Sequence, residues 1–122
     1  MRTRVGPKFF NDGSSENMND KYMIDTKSNM EFLMSQAKDL LRFGKNFPAP
    51  GGSSYYLGDD AAPLTDRPRQ TWITSRMAHV YSIGALLGIN GCDKLADAAI
   101  RGLTGELHDN ANGGWYAGIT IA

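Results

Sequence analysis

The stretch that most constrains this chain is a helix with no charged face. Its apolar and small residues predict a helix from about residue 66 or 71 to 87, with Gly88 ending it and Pro68 tolerable only near its first turn. At about 100° per residue, Ile73, Met77, Val80, Gly84 and Leu87 fall on one side. Thr74, Ser75, Ala78, Ser82 and Ala85, all small, fall on another, and Trp72, Arg76, His79 and Ile83 form a third stripe. No side is rich in Lys or Glu. A helix without a charged solvent face is normally buried. The large apolar side is therefore expected in a core, and the small side is expected to admit a neighbouring helix closely.

The third stripe then needs an account. A buried, unpaired arginine is costly, so Arg76 is expected either in a structural salt bridge or lining a polar ligand cavity. Both readings stand on the residues alone. In the cavity reading, Trp72 one turn earlier offers an indole face to sugar C–H groups. Arg76 offers a guanidinium fork to hydroxyls or an anionic substituent. His79, one turn further, is read as a hydrogen-bonded core residue rather than a catalyst. Trp115 and Tyr116 follow Gly113 and Gly114 on a loop, where aromatics act as plugs or close over a ligand.

Around that helix the chain of 122 residues reads as one domain, 28–122, behind a flexible extension, 1–27, that is polar and aperiodic. Ser28 and Glu31 make a capping box for a first helix. Met30, Leu33, Met34, Ala37, Leu40 and Leu41 form its core stripe, and Gly44 is its stop. Residues 45–66 are loop-like, with a short strand at Tyr55, Tyr56 and Leu57. A connection over 88–91 leads to a third helix at about 92–107, which makes an αα-hairpin with the second. Leu95, Ala99, Leu103 and Leu107 form its apolar side, and Asp93, Asp97 and Arg101 its polar one. After Gly113 a turn and strand are expected to the end.

Charge excludes some functions. Thirteen basic and 13 acidic residues balance to zero net charge, which leaves no electrostatic footprint for nucleic acid or an anionic membrane. Cys92 is the single cysteine, so neither an intrachain disulfide nor a thiol cluster for zinc is available. No phosphate loop or ligand cluster appears, so neither metal nor cofactor is expected. No apolar run predicts a membrane span or a signal peptide, and the expected location is the cytoplasm.

The residues from Thr71 through Trp72, Arg76, Met77 and His79 to Ser82 resemble the second-helix motif of the N-acylglucosamine 2-epimerase family, in particular its mannose and sulfoquinovose isomerase branch. The likeness continues through Leu95-Ala96-Asp97 and Leu107-His108-Asp109 to Gly113-Gly114-Trp115-Tyr116-Ala117, covering about residues 30–120. It implies an all-α fold: the N-terminal segment of an (α/α)6 barrel, about three helices with short β segments, in which the second helix is an inner one. It implies that Trp72, Arg76 and Tyr116 bind a monosaccharide, and that Arg76 stabilises negative charge on an oxygen. The implied reaction is 2-epimerisation or aldose–ketose isomerisation of mannose- or N-acylglucosamine-type sugars, with two histidines as acid and base. Neither His79 nor His108 matches those histidines, so the chain is expected to hold no catalytic residue, to be an N-terminal piece inactive alone, and to self-associate. Ala98 stands where the family often has His. Two other functions remain open: a non-catalytic carbohydrate-binding or interaction remnant, and a glycoside-processing enzyme on an α/α toroid, for which Asp59, Asp60 and Asp109 are the available carboxylates.

Overall fold

The computed structural model describes residues 20–120. It has three α-helices, α1 (Lys27–Gly44), α2 (Thr71–Leu86) and α3 (Cys92–Thr104), and four two-residue strands. This is the helical class, with short strand segments, that the sequence predicts. The chain divides within α1, after Ala37, into two compact units.

In the first unit, the last residues of the expected extension make local hydrogen bonds, while residues 1–19 lie outside the described residues. Asp20–Tyr22 form a 3₁₀ turn. The Thr26 hydroxyl donates to the Asp20 carbonyl at 2.7 Å, and Asn29 Nδ2 donates to the Lys21 carbonyl at 2.6 Å. The Tyr22 and Phe32 rings meet edge-on, centroids 5.4 Å apart. Thr26, rather than Ser28, occupies the capping position: its Oγ1 accepts from the Asn29 N–H at 3.0 Å, satisfying one of the free donors of the first turn. The predicted core stripe of α1 is corrected too: Met30, Leu33, Met34 and Leu40 are exposed.

The second unit is built on the α2–α3 pair. Its buried core joins Phe47, Ala78, Tyr81, Cys92, Ala96 and Ala99, with Leu41, Met77, Ala85, Ile89, Leu95 and Leu103 packed around it. Phe47 stacks on Tyr81 with centroids 5.4 Å apart. The small residues on α2 let α3 come close: a Cβ on Gly84 would meet Cys92 Sγ at 2.6 Å. α2 ends in a Schellman motif. Gly88 takes φ +77°, its N–H donates to Ala85 at 3.0 Å, and the Ile89 N–H donates to Gly84 at 3.0 Å. Gly44 serves otherwise than as a left-handed stop. A Cβ there would meet the Tyr81 hydroxyl at 2.7 Å. That hydroxyl donates to the Leu41 carbonyl at 2.6 Å, satisfying an acceptor in the last turn of α1. Burial, and secondarily charge on Cys92, pushes the Tyr81 phenol up to about 12.

α3 stops three residues before the expected position 107. There the Leu107 N–H donates back to the Gly102 carbonyl at 3.1 Å, and its side chain is fully buried. β1 (Tyr56–Leu57) pairs antiparallel with β2 (Pro63–Leu64). β3 (Arg69–Gln70) pairs antiparallel with β4 (Gly118–Ile119), Gln70 opposite Gly118. This second pairing brings the 115–119 segment to the start of α2.

Candidate functional site

α2 is half covered. Thr74, Ala78, Tyr81 and Gly84 are buried against the core. The opposite face, carrying Trp72, Ser75, Arg76, His79, Val80, Ile83 and Leu86, is exposed in this chain. In this chain the helix is therefore covered on one face only, and the side that it buries differs from the one expected as core. Val80 and Leu87 are exposed, and buried Thr74 and Ala78 from the small side take their place. The exposed face changes along its length. Its first two turns carry Trp72, Ser75, Arg76 and His79, and its last two carry Val80, Ile83 and Leu86, the last of these 88% exposed.

The Arg76 guanidinium lies over the Trp72 ring, 4.7 Å from its centroid. That is cation–π geometry, and the i, i+4 spacing on one helix dictates it. Half of Trp72 remains exposed, at 50%. Among the described residues Arg76 has no carboxylate partner; the ion pairs there are Arg42–Asp39 and Arg69–Glu106. The structural salt bridge considered for Arg76 is made instead by Arg69, which the sequence reading did not single out. Its Nε donates to Ser53 Oγ at 2.7 Å, and its Nη2 lies 3.4 Å from Glu106 Oε1. Glu106 Oε2 also accepts from the Ser53 N–H at 3.0 Å and from the Ser53 hydroxyl. Glu106 lies on the turn after α3, and Ser53 in a loop that backs onto α3: a Cβ on Gly52 would strike the Ala98 carbonyl at 2.1 Å.

Tyr116 reaches the start of α2 through its backbone. The Thr71 hydroxyl donates to the Tyr116 carbonyl at 2.6 Å, and the Thr71 N–H donates to the Ala117 carbonyl at 3.1 Å. The Tyr116 ring is 44% exposed. Trp115 is tied down beside it: its Nε1 donates to the Leu103 carbonyl at 2.6 Å, and its ring meets His108 edge-on at 5.1 Å. The structure thus places Trp72, Arg76 and the Tyr116 backbone at one end of α2, with His79 one turn further on the same face.

Two further side chains here escaped the sequence reading. Gln70 Oε1 accepts from Trp72 Nε1 at 2.5 Å and from the Tyr56 hydroxyl at 2.6 Å. A neutral Gln before a helix carries no charge or capping signal, and Tyr56 read only as a strand residue. Two of the three carboxylates considered for glycoside cleavage, Asp60 and Asp109, serve their own turns. Asp60 accepts from the Ala62 N–H at 3.0 Å. Asp109 accepts from the Ala111 and Asn112 N–H groups, each at 3.0 Å. Bonds from Asn112, then from Ala111 and Tyr116, hold the Asp109 carboxyl below its usual range. Among the described residues no cluster of His, Cys, Asp and Glu is placed to hold a metal, and no helix is long and apolar enough to cross a membrane.

The model of the N-acylglucosamine 2-epimerase (GlcNAc 2-epimerase) family matches residues 51–121, which contain all three candidate residues. A D-mannose isomerase of Thermobifida fusca is 34% identical over 88 residues, covering 72% of this chain and 22% of the relative. A D-mannose isomerase of Pseudomonas cannabina pv. alisalensis is 33% identical over 87 residues, covering 71% of this chain and 21% of the relative. The chain spans about a fifth of the length of these curated relatives.

Proposed function

The chain belongs to the N-acylglucosamine 2-epimerase family, and from that premise we propose that it supplies one wall of the monosaccharide pocket of a cytoplasmic sugar isomerase or epimerase. The substrate is a mannose- or N-acylglucosamine-type sugar, and the reaction is proton transfer at the carbon next to the carbonyl. The observation that carries this reading is the exposed Trp72–Arg76 pair on a helix that holds no other Lys, Arg, Asp or Glu. The indole presents a flat apolar surface to the sugar ring. The guanidinium presents N–H donors and positive charge to an oxygen that becomes negative as the proton leaves. Tyr116 closes the wall from the 115–119 segment. His79 and His108 are not assigned the acid and base, which come from histidines elsewhere in the protein.

In this reading residues 28–122 are one part of an (α/α)6 barrel with α2 as an inner helix. Val80, Ile83 and Leu86 then meet further helices, while Trp72 and Arg76 face the pocket. The 122-residue chain on its own leaves that apolar face uncovered, and such a face drives association. Sedimentation velocity on the purified chain is expected to show dimers or larger species whose population grows with concentration.

The proposed function is tested by turnover. A full-length protein carrying this segment is expected to interconvert mannose and fructose or to epimerise N-acetylmannosamine. The 122-residue chain is expected to do neither. Inactivity of the full-length protein on both sugars would reject the reading. Turnover by the chain itself would place the acid and base within it and overturn the division of labour proposed here.

A further inference from the structure

Gln70 sits at the N-cap position of α2, with extended backbone angles, yet its side chain makes no cap hydrogen bond. Gln is a poor cap compared with Ser, Thr, Asp or Asn. Its amide is used on the indole instead. Trp Nε1–H only donates, so the group facing it must be the amide oxygen, which fixes the orientation of the amide. The same Oε1 accepts from Tyr56 Oη at 2.6 Å and from Trp72 Nε1 at 2.5 Å. The anchor behind it is rigid. The Gln70 carbonyl accepts from the Thr74 hydroxyl at 2.8 Å. Gln70 is paired with Gly118 across the β3–β4 ladder. A Cβ on Gly118 would lie 3.2 Å from Gln70 Cγ, so the glycine leaves room for this rotamer.

An exposed tryptophan on a helix would otherwise sample several rotamers. This one is held at its Nε1 edge by Gln70 while Arg76 lies over its ring. We propose that Gln70, with Tyr56 behind it, is a positioning residue for the sugar pocket: it fixes the plane of the Trp72 indole and hence the surface on which the substrate ring and Arg76 both rest. The contribution to substrate binding rests on the sugar-pocket reading. The locking of the indole does not.

The chain has two tryptophans, so in a Trp115→Phe background a single indole N–H resonance reports Trp72. With Gln70 present, that resonance is expected downfield and protected from solvent exchange. Gln70→Leu is expected to move it upfield and to speed exchange about tenfold, the scale of one lost hydrogen bond. Gln70→Glu, which keeps an oxygen acceptor, is expected to restore both. In the full-length enzyme, Gln70→Leu is expected to raise KM about tenfold with a smaller change in kcat, and Gln70→Glu to recover most of it.

An indole resonance unmoved by Gln70→Leu in a chain with an otherwise native spectrum would overturn the proposal. So would a freed indole with unchanged KM. If Gln70→Leu fails to fold, Gln70→Glu decides alone: a protected downfield indole supports the lock, and its loss overturns it. A full-length protein that turns over no sugar strikes the pocket reading instead, and leaves the indole measurement standing.

Discussion

Replacing Arg76 with alanine in the full-length enzyme is expected to lower kcat by about 10²- to 10³-fold while leaving the protein folded. The size follows from the role proposed for Arg76. A preorganised donor aimed at a developing oxyanion is worth that much when removed, because it gains strength as charge appears in the transition state. The intact fold follows from the surroundings. Arg76 is exposed, no carboxylate among the described residues depends on it, and its contact is the Trp72 ring at 4.7 Å. Losing an exposed cation–π contact costs about 0.5–1 kcal/mol. Arg76→Lys keeps the charge but loses the planar fork, and is expected to recover only part of the rate. Steady-state kinetics beside a thermal melt make the check. A variant that unfolds, with full activity in its folded fraction, would return Arg76 to a structural role.

The pairing of Trp72 with Arg76 was legible in the sequence because it needs only helix geometry: residues four apart share a face. The turn between α2 and α3 was legible for the same local reason, since Gly88 and Gly91 both take positive φ, which glycine permits. What covers each face was not legible. Val80 and Leu87 read as core by their chemistry, but hydrophobicity does not say which partner buries them, and none among the described residues does. The start of α1 slipped by half a turn because Ser28 and Thr26 are both capable caps, and only the Asn29 N–H shows which one serves. The polar contacts that frame the site were hidden by distance along the chain. Tyr56 meets Gln70 across 14 residues and Arg69 meets Glu106 across 37. No periodicity encodes such pairs. They depend on the β3–β4 pairing and on the close approach of the Gly52 loop to α3.

Glu106→Ala is expected to destabilise the scaffold beneath the site by about 2–3 kcal/mol near neutral pH. Removing one partner of a buried pair leaves an uncompensated charge, which costs about 3–5 kcal/mol when burial is complete. The Glu106 side chain is 26% exposed, so solvent offsets some of that cost, whereas the Arg69 side chain is only 9% exposed and would keep an unpaired guanidinium. Ser53 would lose an acceptor for both its N–H and its hydroxyl. Against a total stability on the order of 5–15 kcal/mol, this is a large fraction. Acid pH provides a second readout. Burial pushes the Glu106 carboxyl up, but the Ser53 hydrogen bonds and the Arg69 charge together outweigh it and hold the group below its ordinary 4.5. A group depressed in the folded state stabilises fully above its unfolded value, and the contribution is lost as pH falls through the folded value. Urea unfolding of the parent chain should therefore show a stability that declines below about pH 4.5. Glu106→Ala should be less stable at pH 7 and should show a shallower decline on the acid side. Parallel acid limbs in the two proteins would mean that the charge on Glu106 contributes nothing, and that Arg69 is held by its bond to Ser53 and by the Tyr55 ring, 5.6 Å from its guanidinium. Arg69 directly precedes Gln70 in β3, so loosening the Arg69–Glu106 pair is also expected to loosen the anchor from which the Trp72 indole is held.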